Sequence, residues 1–413
     1  MWLQSERITR FLVVPSIFPA GHPGEQRLMR VIRAALKIVR ALSVWILDSV
    51  CLLIPYSSRA CAVVTRLDAI GDFFLWMQGG AADISVYLRS LGLRPILIAN
   101  SGWAEFAQTT GLWDRVISVD SVRLIRSPFY RVRQLTSIRR MGASYLIQPR
   151  AARLFLLEDA IARTSGATRR IGSSGTLLNT SEFLRRIGNT YYSDLIDVRS
   201  DEVVHELLRN QAFVRGLTGR ECTAYEFQPV IRNEVDAPIV VAMGAGESGR
   251  IWPIEKLAVL LQHIISAHPV TRIVIVGRAC DAAAAEQLMK LIGGGASNLV
   301  GQTTLSGYIE IIAAATIVIS NESSAYHIAL AFKRPVLCLV GGGHYGLFAP
   351  YPWLAQTNGL SIVVKNELEC FGCNWKCKFQ REPGGAFRCV ATIDVRRAID
   401  GFELLSARVK KDD

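Results

Sequence analysis

The sequence predicts an α/β chain made of two doubly wound domains, and three observations carry that reading. At 413 residues the chain exceeds what one hydrophobic core organises, so two domains of about 150 to 200 residues are expected. Half the residues are apolar and a fifth are charged, a globular composition rather than a disordered or fibrous one. Finally, two separate series of short β-branched runs alternate with helical stretches, the pattern of parallel sheets covered on both faces.

Residues 1–60 differ from the rest. Arg27 to Arg40 sets basic residues at three- and four-residue intervals among aliphatics, the signature of an amphipathic helix. Ala41 to Ile54 is strongly apolar but short, contains Asp48 and runs into Pro55, so it falls below the ~20 residues a membrane-spanning helix needs. Two readings stay open for this extension: helices packed on the protein or on a second subunit, and a basic apolar face lying on an anionic membrane.

Residues 61–235 form the first predicted domain, with strands at Ala62–Thr65, Pro95–Ala99, Val116–Val119 and Tyr145–Ile147. A second series, over 236–365, places strands at Pro238–Ala242, Arg272–Val276, Thr316–Ile319 and Pro335–Val340. Ligands of such sheets bind beyond the carboxyl ends of the strands, so two domains facing a cleft are expected, with the chemistry in the loops that follow the strands.

Four such loops stand out. After the first strand, Arg66-Leu67-Asp68-Ala69-Ile70-Gly71-Asp72 turns at a glycine and places Asp72 at the start of a helix, as a reactive carboxylate or as a simple cap. Met243 to Pro253 carries Gly244, Gly246 and Arg250, which suit a diphosphate against backbone amides and a fixed positive charge; a merely flexible connection fits as well. Ser320 to Ala329 ends a strand in Asn321 and Glu322, where Ser323 or Ser324 caps a helix or meets phosphate. Glu322 there can accept hydrogen bonds from ribose or sugar hydroxyls, and His327 is a structural hydrogen-bonding residue or an acid–base group. The run Gly341, Gly342 and Gly343 leaves room for a ligand against main chain, with His344 or Tyr345 closing over it.

The first three of these loops, with Gly301-Gln302-Thr303-Thr304-Leu305-Ser306 between the second and the third, resemble in this order the bacterial heptosyltransferases, glycosyltransferase family nine, which have the GT-B fold. The resemblance runs from about Cys61 to about Asp400. It implies an inverting transfer of a sugar, typically heptose from ADP-heptose, to a hydroxyl of a lipid-linked or protein-linked acceptor. Asp72 then corresponds to the family's general base, and Arg250 to the cation beside the leaving diphosphate. Donor contacts are implied for Gly244, Gly246, Glu322, Ser323, Ser324, His327 and Gly342, although Glu322 stands where the family has Asp and Ser323 where it has Thr. No Asp-x-Asp occurs in the chain, in keeping with the metal-independent catalysis the resemblance implies.

Residues 366–413 carry Cys370, Cys373, Cys377 and Cys389, spaced C-x2-C-x3-C-x11-C. This spacing suits a four-cysteine knuckle around structural zinc or iron, with free thiols or one disulfide as the alternative. Such a site leaves no coordination position for substrate. The other five cysteines are expected to be buried reduced thiols. With no recognisable secretory signal, a cytoplasmic chain is expected, at most peripheral on the inner face of the membrane.

A formal charge of +12 favours anionic partners, while the basic residues show no aromatic ladder of the kind that binds nucleic acid. The expected partners are a nucleotide-sugar donor, a lipid-linked glycan or protein acceptor, and further copies of the chain. Two other functions stay in view. Gly244, Gly246 and Gly249 have the G-x-G-x-x-G spacing of a nicotinamide-dependent oxidoreductase, but no acid follows the next strand, where Val276 leads into Gly277 and Arg278. A non-catalytic assembly scaffold is disfavoured by the presence of both Asp72 and Arg250.

Overall fold

A computed structural model of the chain describes residue 39 and residues 41–198, 205–228, 237–352, 360–382 and 384–412. Apart from Val39, the basic stretch Arg27 to Arg40 lies outside the described residues. Chain contacts divide the protein into two units. One draws on Met1–Ala69, Gly79–Arg199 and Arg209–Thr223, the other on Ile70–Gln78, Ser200–Leu208 and Ala224–Asp413.

The first unit holds a six-stranded sheet: β1 (Arg59–Arg66), β2 (Arg94–Asn100), β3 (Arg115–Val119), β4 (Ala143–Gln148), β5 (Arg169–Ser173) and β6 (Asp194–Ile196), in the order β3-β2-β1-β4-β5-β6. The second holds β7 (Ile239–Ala242), β8 (Ile273–Val276), β9 (Ala296–Asn298), β10 (Ile317–Asn321), β11 (Val336–Leu339) and β12 (Ser361–Val364), in the order β12-β11-β10-β7-β8-β9. Every pairing is parallel, and in both sheets the order reverses beside the first strand, which makes each a doubly wound fold. The central strands β7, β8 and β11 are buried at every position, which is why they read as unbroken apolar runs.

All eight expected strands are present. Four more, β5, β6, β9 and β12, lie outside the expected set, although β12 carries the β-branched run Ile362-Val363-Val364. Of these, β6 and β9 are three-residue edge strands with polar residues, and β5 opens on two arginines.

Residues 41–52 form a helix packed on the first unit. Its Asp48 is buried and takes two bonds from Arg131, Nε at 2.6 Å and Nη2 at 2.7 Å, which explains an acid in an otherwise apolar segment. Arg163 lies 4.0 Å from the centre of the Trp45 ring. The opposite face leaves Leu42, Ile46 and Val50 exposed. Among the described residues no helix is long and apolar enough to cross a membrane.

The expectation that all five dispersed cysteines are buried needs correction. Cys280 is exposed, because it sits in the turn after β8 rather than in the core; Cys222 is half-buried, and only Cys51, Cys61 and Cys338 of the five are buried. The four clustered thiols are free, and among the described residues no group of three or more His, Cys, Asp or Glu is gathered as a metal-ligand set.

Candidate active site

The loops at the carboxyl ends of β7 and β10 are tied together by one side chain. Asn321, the last residue of β10, donates from Nδ2 to the Met243 carbonyl at 2.7 Å and accepts from the Trp252 amide at Oδ1, 2.9 Å. This holds the loop after β7, with the short 3-10 turn Ser248–Arg250, beside Glu322.

Glu322 follows Asn321 and is buried. Burial raises its pKa to about 7 against the opposing pull of Arg250, and its Oε2 has no hydrogen-bond partner among the described residues. A buried acceptor left in this state costs about 1–3 kcal/mol unless a ligand or water meets it. His344 Nδ1 lies 3.9 Å from Glu322 Oε1, but burial and Arg250 push the His344 pKa down to about 4, so at neutral pH it brings no positive charge. Its other nitrogen, Nε2, meets Asn374 Oδ1 at 2.7 Å.

Arg250 lays its guanidinium 4.5 Å from the centre of the Trp375 ring, and its Nε is buried without a partner. A weakly hydrated planar cation held by an aromatic face keeps its remaining donors for an anion. Gly246 has open space where a side chain would be, whereas a Cβ on Gly244 would meet Asp281 Oδ2 at 2.7 Å. Asp281 itself receives the Arg278 amide at 3.0 Å, so Gly244 makes room for a protein carboxylate.

The three glycines after β11 do not leave the open space expected of them. A Cβ on Gly341 would meet the Trp375 ring at 2.6 Å, Gly343 lies against the same ring, and Gly342 is covered by Phe371. The cysteine segment thus fills the position assigned to a ligand. Gly342 instead donates its amide to Cys389 Sγ at 3.3 Å.

Helix Ser324–Ala331 starts beside Glu322 with Ser323 at its cap position, but the Ser323 hydroxyl makes no capping bond and is buried without a partner among the described residues. Ser324 bonds Tyr308. His327 is buried, meets the Tyr351 hydroxyl through Nδ1 at 2.9 Å, and has its pKa pushed down to about 3 by burial and by His205. That favours its structural reading.

Helix Ile70–Gln78 joins the same unit, packed on helix Ser324–Ala331. A Cβ on Gly71 would lie 3.0 Å from His327 Cδ2, so the glycine is needed for close approach. Asp72 is half-buried in the first turn of this helix, not at its cap, and is close enough to Tyr351 to help hold that phenol protonated. Asp72 and the β10 loop therefore share one unit.

Sequence reasoning did not single out Trp375, Asn374, Tyr351 or Asp281. A signal existed for the first two: an Asn-Trp pair inside a cysteine cluster. Both adopt left-handed backbone, φ 48° and 57°, a conformation that surrounding structure must enforce in a residue as large as tryptophan.

Two doubly wound sheets, each with its order reversing beside its first strand, are the architecture of the GT-B fold. Residues 214–376 match the family model for glycosyltransferase family 9 (heptosyltransferase). That segment resembles glycosyltransferase family 9, and the likeness of the rest of the chain to solved heptosyltransferases is one of fold. The chain's fold is similar to that of E. coli ADP-heptose lipopolysaccharide heptosyltransferase II, with TM-score 0.61 and 16% identity over 86% of this chain and 100% of that one. A family 9 glycosyltransferase from Veillonella parvula gives TM-score 0.62 and 14% identity, covering 86% and 99%. The iron-containing dodecameric glycosyltransferase TibC from enterotoxigenic E. coli gives 0.51 and 13%, covering 86% and 81%. No curated protein sequence matches the chain significantly.

Proposed function

We propose that the chain transfers heptose from ADP-heptose, with inversion, to a hydroxyl of a lipid-linked glycan, as in lipopolysaccharide assembly, or of a protein. The observation that carries this reading is the placing of Arg250, whose buried Nε has no hydrogen-bond partner among the described residues, near Glu322, whose Oε2 has none either, at one sheet edge of a segment that matches the family 9 model. The guanidinium suits a diphosphate, and the carboxyl suits a sugar or ribose hydroxyl. Asp72 takes the acceptor hydroxyl proton as that oxygen bonds to the anomeric carbon. The bond from that carbon to the diphosphate breaks on the opposite face, and Arg250 stabilises the charge gathering on ADP. Gly246, with open space above it, and Ser323, with an unused hydroxyl, complete the donor contacts.

The same reading extends to three finer points. The exposed stripe Leu42, Ile46 and Val50 suits peripheral contact with the cytoplasmic face of a membrane. Association of several copies is suggested by the dodecameric TibC. A structural zinc or iron at Cys370, Cys373, Cys377 and Cys389 is supported by their spacing and by the amide of Gly342 directed at Cys389 sulfur, the outer-shell bond metal thiolates accept. As placed, the thiols are not gathered into a ligand set, so binding would require them to close together.

Asp72→Asn tests the central assignment. Transfer from ADP-heptose should fall about 10²- to 10⁴-fold while ADP affinity measured by calorimetry stays unchanged. Transfer at the original rate would overturn the general-base role.

A further inference from the structure

Each of the three strands β1, β2 and β3 begins with an arginine: Arg59, Arg94 and Arg115. Register places Cys61 beside Arg94 and Ile96 beside Arg115. Side chains two apart on a strand share a face, so Arg94 and Arg115 stand on one face of the sheet, at its amino edge, and Arg59, before a register shift in β1 between Arg59 and Ala62, joins them at that edge. They line a cavity of about 330 Å³ together with Cys61, Ile96 and Asp114. Burial pushes the Cys61 thiol up, and Arg94 and Arg59 are near enough to pull against it.

Among the described residues none of these arginines has a carboxylate partner. The acid of the cavity, Asp114, is engaged by Arg89 at 2.6 Å. Helix C-termini at this edge offer each cation at most about half a negative charge, too little to offset three guanidinium groups around one cavity. Planar forks of this kind match phosphate oxygens two at a time. Substrates of doubly wound sheets bind at the opposite, carboxyl ends of the strands, so this cavity is not part of the transfer site.

We propose that the cavity bounded by Arg59, Arg94 and Arg115 is a phosphate-binding site, taking either a soluble phosphate or the phosphate of a lipid headgroup. The test uses the full chain with saturating ADP present, so that the transfer site cannot report. Inorganic phosphate is titrated by calorimetry, and vesicles of phosphatidylglycerol with phosphatidylcholine are compared with phosphatidylcholine alone by flotation at fixed salt. The wild type should bind at least one probe, and Arg94→Gln with Arg115→Gln should weaken that binding about tenfold or more with no change in melting temperature. Phosphate binding without vesicle capture assigns a soluble ligand; capture that needs phosphatidylglycerol, without phosphate binding, assigns a headgroup. Failure of both probes to bind overturns the site. So does undiminished binding by Arg94→Lys with Arg115→Lys, since a plain patch of charge would tolerate that change and a pocket of guanidinium forks would not.

Discussion

The carboxyl edges of the two sheets handle buried charge in opposite ways. In the first unit buried acids and arginines are ion-paired, although Asp68 Oδ1 and Asp159 Oδ2 lack a hydrogen-bond partner among the described residues: Arg66 meets Asp68 at 2.8 Å, Arg150 meets Asp68 at 3.6 Å and Glu158 at 2.8 Å, and Asp159 lies between Arg153 at 3.3 Å and Arg185 at 3.7 Å. In the second unit Glu322 keeps one oxygen unmet, Arg250 stacks on an aromatic ring and His344 is held neutral. Charge that is neutralised internally maintains a shape. Buried charge left without an ion-pair partner is stabilised by what binds to it, and this difference is a ground for the proposal that the donor binds in the second unit.

The most disruptive way to break the comparison is to make the first edge resemble the second. Asp159 is buried, accepts the Tyr192 hydroxyl at 2.9 Å, and has its pKa lifted by burial while Arg153 and Arg185 pull it down. Asp159→Ala leaves two buried guanidinium groups unpaired and should destabilise the protein by about 3–5 kcal/mol, read as a lower urea midpoint. A change under about 1 kcal/mol would mean the network is solvated and not structural.

Much of this contrast was legible in the sequence, and its limits were physical. Apolar β-branched runs identified the central strands because both their faces are buried, as in β7 and β8. The edge strands β6 and β9 bury little and so carry no such run. Glu322 and Arg250 stand out as candidates because strand ends followed by polar or glycine-rich loops are local patterns. Trp375 does not, since its contact with Arg250 crosses 125 residues, and a tryptophan among cysteines reads first as part of the knuckle. For the same reason the three glycines read as ligand space, although it is Trp375 and Phe371 that require them.

A titration sharpens the comparison. Glu322 has a folded pKa of about 7 against an ordinary value of 4.5. Between these values the native state binds more protons than the unfolded state, so this group's contribution to stability is full at low pH and is lost as pH rises toward 7. The slope is about 1.4 kcal/mol per pH unit, near 3 kcal/mol over the window. His327 and His344, with depressed pKa values, give the opposite slope below about 6.5, so the difference between wild type and Glu322→Gln is the quantity to read. The Gln variant should gain stability relative to wild type from pH 5 to pH 8 in urea melts. A difference that does not vary with pH would show the carboxyl to be ordinarily solvated, and the contrast between the two edges would lose its main support.

The smallest expected effect separates charge from geometry at Arg250. Arg250→Lys keeps the positive charge but loses the plane that stacks on Trp375 at 4.5 Å and the fork proposed to grip two diphosphate oxygens. Loss of the stacked contact costs about 0.5–2 kcal/mol, so ADP affinity should fall roughly 2- to 30-fold, well short of the loss expected when the charge itself is removed. Calorimetry of ADP binding checks this directly. If lysine binds ADP as tightly as arginine, a point charge suffices and the Trp375 platform only packs the cysteine segment. If lysine is as poor as alanine, orientation of the guanidinium by Trp375 is the dominant element of donor recognition, and the cysteine segment that supplies this ring becomes part of the donor site.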